Sequence, residues 1–196
     1  MTERTAKPDR TWWIVGLGFV VAWVVYLAVF GPSETRELPT PGLGPVLGRP
    51  DRADFAWSVR DLNEKPATLE SFRGKTVFLN VWATWCGPCV AELPAIARLA
   101  ANPRLKDMDI AFVCVSTDQS AGTVRSFLRG KDWPMTVLIA SDVPAPFATQ
   151  GIPATFLIAP DGRIVAAEVG SAAWDDPSVV SFLENLAKPR PAATQP

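Results

Sequence analysis

The longest apolar run in the chain, Trp12 to Phe30, contains no charged residue and no proline. As a helix rising about 1.5 Å per residue it would come close to spanning the roughly 30 Å hydrocarbon layer of a bilayer, so residues 12–30 are expected to form a transmembrane helix. Arg4, Lys7 and Arg10 precede it with Glu3 and Asp9, while Glu34, Arg36 and Glu37 come after it. The positive excess is N-terminal, which predicts residues 1–11 on the cytoplasmic side. The alternative is a cleaved secretory signal, whose apolar region is usually about 7 to 15 residues and ends in a small-x-small site. Residues 27–31 offer no Ala-x-Ala, and Trp12, Trp13, Trp23 and Tyr26 supply aromatics suited to the membrane interfaces. An uncleaved anchor is therefore expected, and either reading exports the rest of the chain.

Residues 31–50 are dense in Pro and Gly, a composition that disfavours helix and sheet and predicts a partly extended tether. The C-terminal run 189–196 reads as an unstructured tail. Between them, residues 51–188 carry the pattern of one folded domain. Thr76 to Trp82 (TVFLNVW) and Asp109 to Ser116 (DIAFVCVS) read as buried strands, with helical spacing over Val90 to Ala100 between them: a βαβ unit. A helix over Gly122 to Gly130, strands over Pro134 to Ala140 and Ala154 to Ala159, and a tight turn at Pro160-Asp161-Gly162 come next. The strand Arg163 to Val169 and a helix over Pro177 to Ala187 close the domain. The order is mixed α/β, with no internal repeat.

Charge removes some functions. With 19 Lys+Arg against 20 Asp+Glu the net charge is −1, and no basic stripe appears, so nucleic acid is not an expected partner. The chain has no His, which rules out an imidazole base beside a nucleophile and takes away a common zinc ligand. Three cysteines are too few for a disulfide scaffold; one close pair and one spare is the pattern to explain.

The pair lies in Trp85-Cys86-Gly87-Pro88-Cys89, where a buried strand hands over to a helix. At a helix N-terminus unpaired N–H groups and the helix dipole stabilise a thiolate, so Cys86 is expected to be the nucleophile. Cys89, one turn further in, is placed to resolve a mixed disulfide. Pro88 fits the first helical turn, where its missing N–H has no partner to lose. A zinc knuckle would need two more ligands, and the remaining cysteine is Cys114, which sits among Phe112, Val113 and Val115 and reads as a small core residue. An inert structural disulfide suits so tight a ring poorly. A peroxidatic cysteine could use Thr84 but lacks a neighbouring arginine. Of the flanking tryptophans, Trp82 reads as core and Trp85 as a shield of the pair that meets partner proteins.

The runs GKTVFLNVWATWCGPCVAELP and GIPATFLIAPDGRIV together resemble the TlpA/ResA-like family of membrane-anchored thioredoxins, over roughly residues 51–188. The resemblance implies a thioredoxin fold, with a central mixed sheet flanked by helices, an N-terminal β-hairpin extension and an inserted element. It implies an exported, single-pass protein of the bacterial inner membrane with its domain facing the periplasm or an equivalent extracytoplasmic space. Such proteins reduce disulfides of exported clients, often in cytochrome c maturation or in assembly of the copper sites of cytochrome oxidase, and are regenerated by a membrane thiol electron donor. Cys86 and Cys89 match the family's cysteines, and Pro153, after Ile152, its cis-proline. Trp85, Gly87, Pro88, Ile152 and Pro153 are thus the expected client-facing residues. Thioredoxins proper bury an Asp where this chain has Asn80, which carries no exchangeable charge; Glu92, three residues after Cys89 on the same helix, is the expected acid–base group, as in ResA-like members. Pro94 is expected to kink that helix.

No organic cofactor is needed for this chemistry. The Gly-Pro dipeptide matches that of thioredoxin, a reductant near about −270 mV, and points towards reduction. A second class of reading is a soft-metal module holding copper(I) on the same pair, which the lack of His disfavours.

Overall fold

A computed structural model of the chain describes residues 16–24, 38–44 and 51–188. Residues 16–24 are helical, with Leu17, Phe19, Val20 and Trp23 exposed and the rings of Phe19 and Trp23 stacked 6.5 Å apart. They form a unit separate from the remainder. Among the described residues no helix is long and apolar enough to cross a membrane. The two ends of the expected 12–30 span, the 1–11 segment and the 189–196 tail lie outside the described residues.

In the second unit, strand β1 (Ser58–Arg60) and strand β2 (Pro66–Thr68) form an antiparallel hairpin. A 3₁₀ turn (Leu69–Phe72) then leads into β3 (Thr76–Trp82), every residue of which is buried. Helix α1 (Gly87–Ala100), β4 (Ile110–Ser116), α2 (Ala121–Leu128) and β5 (Thr136–Ile139) come next. Strands β6 (Ala154–Ile158) and β7 (Ile164–Val169) and helix α3 (Pro177–Ala187) complete the domain. The sheet order is β2-β1-β5-β4-β3-β6-β7. β3, β4 and β5 run parallel; β6 is antiparallel to β3, and β7 to β6. This is the mixed sheet of a thioredoxin fold: β3-α1-β4 is one half and β6-β7-α3 the other. The α2–β5 unit is inserted between them, and the hairpin extends the far edge.

The burial of β3 on both faces explains its continuous apolar spelling. Phe78 and Trp82 pack with α1 and α3 residues such as Ile96 and Leu183, whereas Val77, Leu79 and Val81 pack with Phe55, Trp57 and Phe147 on the other face. Asn80 alternates onto the same face as Phe78 and Trp82, directly under α1. Helix α1 starts three residues before the apolar spacing does, because Cys86 caps it and Gly87-Pro88 fill its first turn; it runs on through the exposed Pro94. At the β6–β7 turn Gly162 has φ +84°, a left-handed conformation, and lies against the Phe55 ring.

One stretch differs from the expected tether. Residues 38–44 lie against the domain: the Ala173 N–H donates to Pro39 O at 2.8 Å, the Gly42 N–H donates to Glu168 Oε2 at 2.8 Å, and Leu43 packs on the core. Pro and Gly make poor helix or sheet, but a proline has no N–H to satisfy, and Pro41 is buried here.

Candidate active site

Cys86 is the N-cap of α1, and its sulfur is disulfide-bonded to Cys89. The Cys89 N–H points at Cys86 Sγ, 3.2 Å away, so the first turn of the helix directs a donor at the sulfur. Cys86 keeps 7% exposure and Cys89 none, which leaves Cys86 as the member of the pair that a partner can reach. Gly87 and Pro88 are exposed beside it, and Trp85 is 71% exposed.

Across from the pair, the Ile152–Pro153 peptide bond is cis, as the resemblance implied, and the Ile152 carbonyl oxygen lies 3.7 Å from Cys86 Sγ. A cavity of about 280 Å³ opens alongside, lined by Val81, Trp85, Thr117, Phe147, Gly151 and Ile152 among others, with no charged side chain in its wall among the described residues. The structure therefore brings Trp85 and Ile152 to one opening, with Cys86 Sγ beside the Ile152 carbonyl.

Beneath α1, Glu92 has no exposed surface. Its Oε1 accepts from Asn80 Nδ2 at 2.8 Å, and its Oε2 accepts from the Ala172 N–H at 3.1 Å and from Trp174 Nε1 at 2.8 Å. Burial pushes its carboxyl up from an ordinary 4.5 to about 7. The Trp174, Ala172 and Asn80 hydrogen bonds pull it down, and the charge of Glu168 adds a smaller upward push. A group poised near neutrality can take up or release a proton at working pH, which an acid–base partner of Cys89, one turn earlier on the same helix, would have to do. Asn80 also donates to Thr155 Oγ1 at 2.9 Å, its neighbour across the β3–β6 register, while its own Oδ1 has no hydrogen-bond partner among the described residues.

Cys114 is fully buried opposite Asn80 in the β3–β4 register. Burial, with the nearby Glu92 charge, holds its thiol far above the ordinary range, so it stays protonated and inert. Trp82 is wholly buried. The Thr84 hydroxyl donates to Asp118 Oδ1 at 2.7 Å, so it is committed to a neighbour rather than presented to a peroxide.

Sequence reasoning missed Trp174, Ala172, Thr155, Glu168 and Asp118. The first four come to the site from β6, β7 and the loop after β7, and a strand register is needed to place them. Asp118 carried a usable signal: it lies just past the carboxyl end of β4, and in open α/β sheets that end of the parallel strands is where sites assemble.

The family model described as Redoxin matches residues 53–183. The thiol-disulfide oxidoreductase ResA of Bacillus cereus is 31% identical over 151 residues, covering 76% of this chain and 79% of the relative. ResA of Bacillus subtilis is 29% identical over 182 residues, 92% of each chain. Among solved structures, a Bacteroides vulgatus protein described as a thiol-disulfide oxidoreductase superposes with a TM-score of 0.58 at 27% identity, covering 74% of this chain and 97% of that one.

Proposed function

This chain belongs to the redoxin family, among the TlpA/ResA-like thiol-disulfide oxidoreductases, and we propose that it works in the reducing direction on exported protein disulfides. The observation that carries this reading is the Cys86–Cys89 disulfide at the head of α1, with a buried Glu92 near neutrality one turn on.

In the forward cycle the Cys86 thiolate attacks a client disulfide. One S–S bond breaks, a mixed disulfide forms, and the first client sulfur leaves as a thiolate that takes a proton. Cys89 passes its proton to Glu92 and attacks Cys86 Sγ; the second client sulfur leaves as a thiolate and takes up the proton that Glu92 accepted. Two electrons have moved to the client, and the enzyme is left with the Cys86–Cys89 disulfide seen here. A membrane thiol donor then restores the dithiol. Trp85, Gly87, Pro88, Ile152 and Pro153 form the face offered to the client, and the cavity between Trp85 and Ile152 takes an apolar side chain near the client's cysteine. The anchor is the apolar span 12–30, with 1–11 cytoplasmic, 31–50 leading to the domain at 51–188 and 189–196 as a tail. Cytochrome c maturation and assembly of cytochrome oxidase copper sites are the client pathways this reading favours.

The test is the reduction potential of the pair in the full chain, equilibrated against defined thiol buffers with free thiols trapped. A value of about −220 mV or lower supports a reductase, whereas one near about −120 mV makes the protein an oxidant or isomerase and overturns the direction.

A further inference from the structure

Asp118 is a carboxylate with 5% exposure, and among the described residues it makes no ion pair. Three donors converge on it instead. The Thr84 N–H donates to Oδ2 at 2.8 Å, the Thr84 hydroxyl to Oδ1 at 2.7 Å, and the Ser116 hydroxyl to Oδ2 at 2.7 Å. Ser116 Oγ in turn accepts from the Asp118 N–H at 3.0 Å. Burying an acid is unfavourable unless its oxygens are filled, and here both are filled by one short loop and the end of one strand.

Thr84 belongs to the loop of residues 83–86 that leaves β3 and enters α1, and the next residue is Trp85. Asp118 comes directly after Thr117, whose N–H donates to Trp82 O at 2.9 Å and which lines the cavity beside the pair. The carboxylate thus clasps the loops at the ends of β3 and β4, and each loop supplies one wall of that cavity. Trp85 is largely exposed, so its place depends on the backbone that carries it. Cys86 is tied independently: its N–H donates to Ala83 O at 3.2 Å, its carbonyl accepts from Val90 N at 3.0 Å, and its sulfur faces the Cys89 N–H.

We propose that Asp118 is a specificity-determining positioning residue, which by gripping Thr84 holds Trp85 as a fixed wall of the client pocket. Two acceptor oxygens are needed to engage the N–H and the hydroxyl of Thr84 while also receiving Ser116. An Asn has a single acceptor oxygen in that place, and a Ser cannot bridge both donors. The inference rests on the reductase reading above and adds a residue that acts through Thr84 without touching the reacting sulfurs.

The experiment measures insulin reduction by the full chain, with dithiothreitol as electron donor, in wild type, Asp118→Asn, Thr84→Val and Thr84→Ser. Thr84→Val keeps the side-chain volume and removes one hydrogen bond, so it reports even where Asp118→Asn fails to fold. The expected result for Thr84→Val is a KM for insulin raised about fivefold, the scale of one lost hydrogen bond, with kcat within about twofold. Thr84→Ser, which retains both donors, restores the wild-type KM. In parallel, the pH profile of Cys86 alkylation stays in place, because the ties on Cys86 are untouched. An unshifted KM in Thr84→Val, a fall in kcat at constant KM, or a displaced Cys86 profile overturns the assignment. A wild-type chain that reduces no insulin defeats the reductase reading itself and the positioning role with it; an active wild type with an unaffected Thr84→Val defeats the positioning role alone.

Discussion

Trp174 donates its indole N–H to Glu92 Oε2 at 2.8 Å, across 82 residues of sequence. The same tryptophan packs edge-on against Phe78, with ring centroids 5.1 Å apart, so the donor is held rigidly. The strongly perturbed Glu92 carboxyl beneath the active-site helix is therefore positioned from β3 and the loop after β7, not by its own helix.

Stability should depend on pH through this carboxyl. The folded protein keeps the Glu92 proton up to about pH 7, whereas an unfolded chain releases it near 4.5. The raised value contributes stability that is fully present below about 4.5 and is lost as pH rises through about 7, a swing of about 3 kcal/mol. Glu92→Gln is neutral throughout, and its oxygen can still accept from Ala172 and Trp174. Rotation of the Asn80 amide would turn the unpartnered Oδ1 towards the new NH₂. Urea unfolding of the oxidised full chain at pH 5 and pH 8 is expected to show about 2 kcal/mol less loss of stability in this variant than in wild type. Equal losses would mean that Glu92 does not titrate in this range.

Removing the indole donor moves the same titration upwards. Trp174→Phe retains most of the packing against Phe78 but takes away the hydrogen bond that most lowers the Glu92 carboxyl. The midpoint of the pH-dependent loss is expected above pH 7, together with a general cost of about 1 to 3 kcal/mol from the smaller ring. Simple loosening of the core would let water reach Glu92 and lower the midpoint instead, so the direction of movement separates the two explanations.

The spacing of apolar residues was enough to place β3, α1, β4 and the β6–β7 turn, because these elements carry continuous burial or an unambiguous Pro-Asp-Gly turn. The hairpin strands were legible only through the family resemblance: at three residues each they are too short for a period to show. The cysteine pair could be read locally since a strand, a Cys-Gly-Pro-Cys run and a helix are contiguous. The partners of Glu92 could not, as Ala172 and Trp174 reach it only once β7 has returned beside β6 and the chain has turned towards α3. The docking of residues 38–44 was hidden by composition, which reports backbone preference and not tertiary contacts.

The two sulfurs should divide their work by exposure. In the reduced full chain, iodoacetamide is expected to modify Cys86 first, and Cys114 to react only in denaturant, since Cys114 is fully buried with its thiol held protonated. Cys89→Ser should accumulate a mixed disulfide with insulin, visible on non-reducing gels and stable until thiol is added, while Cys86→Ser forms none. Stable adducts on Cys89 in the Cys86→Ser chain would reverse the assigned roles.

Glu168 offers the complementary perturbation to Trp174. It is half-buried on β7, accepts the Gly42 N–H from the docked 38–44 segment, and raises Glu92 through its charge. Glu168→Gln keeps an oxygen for Gly42 and removes the charge, so the Glu92 midpoint is expected to move down towards 4.5, opposite in sign to Trp174→Phe. Because this influence is coulombic, salt should reproduce part of it. Raising ionic strength lowers the wild-type midpoint, and Glu168→Gln loses most of that response as the interaction being screened is gone. The midpoint is read from urea unfolding between about pH 4 and pH 9, at two ionic strengths about tenfold apart, a range over which screening changes strongly. A downward shift in Glu168→Gln that kept the full salt response would trace the effect to hydration at the 38–44 contact rather than to charge.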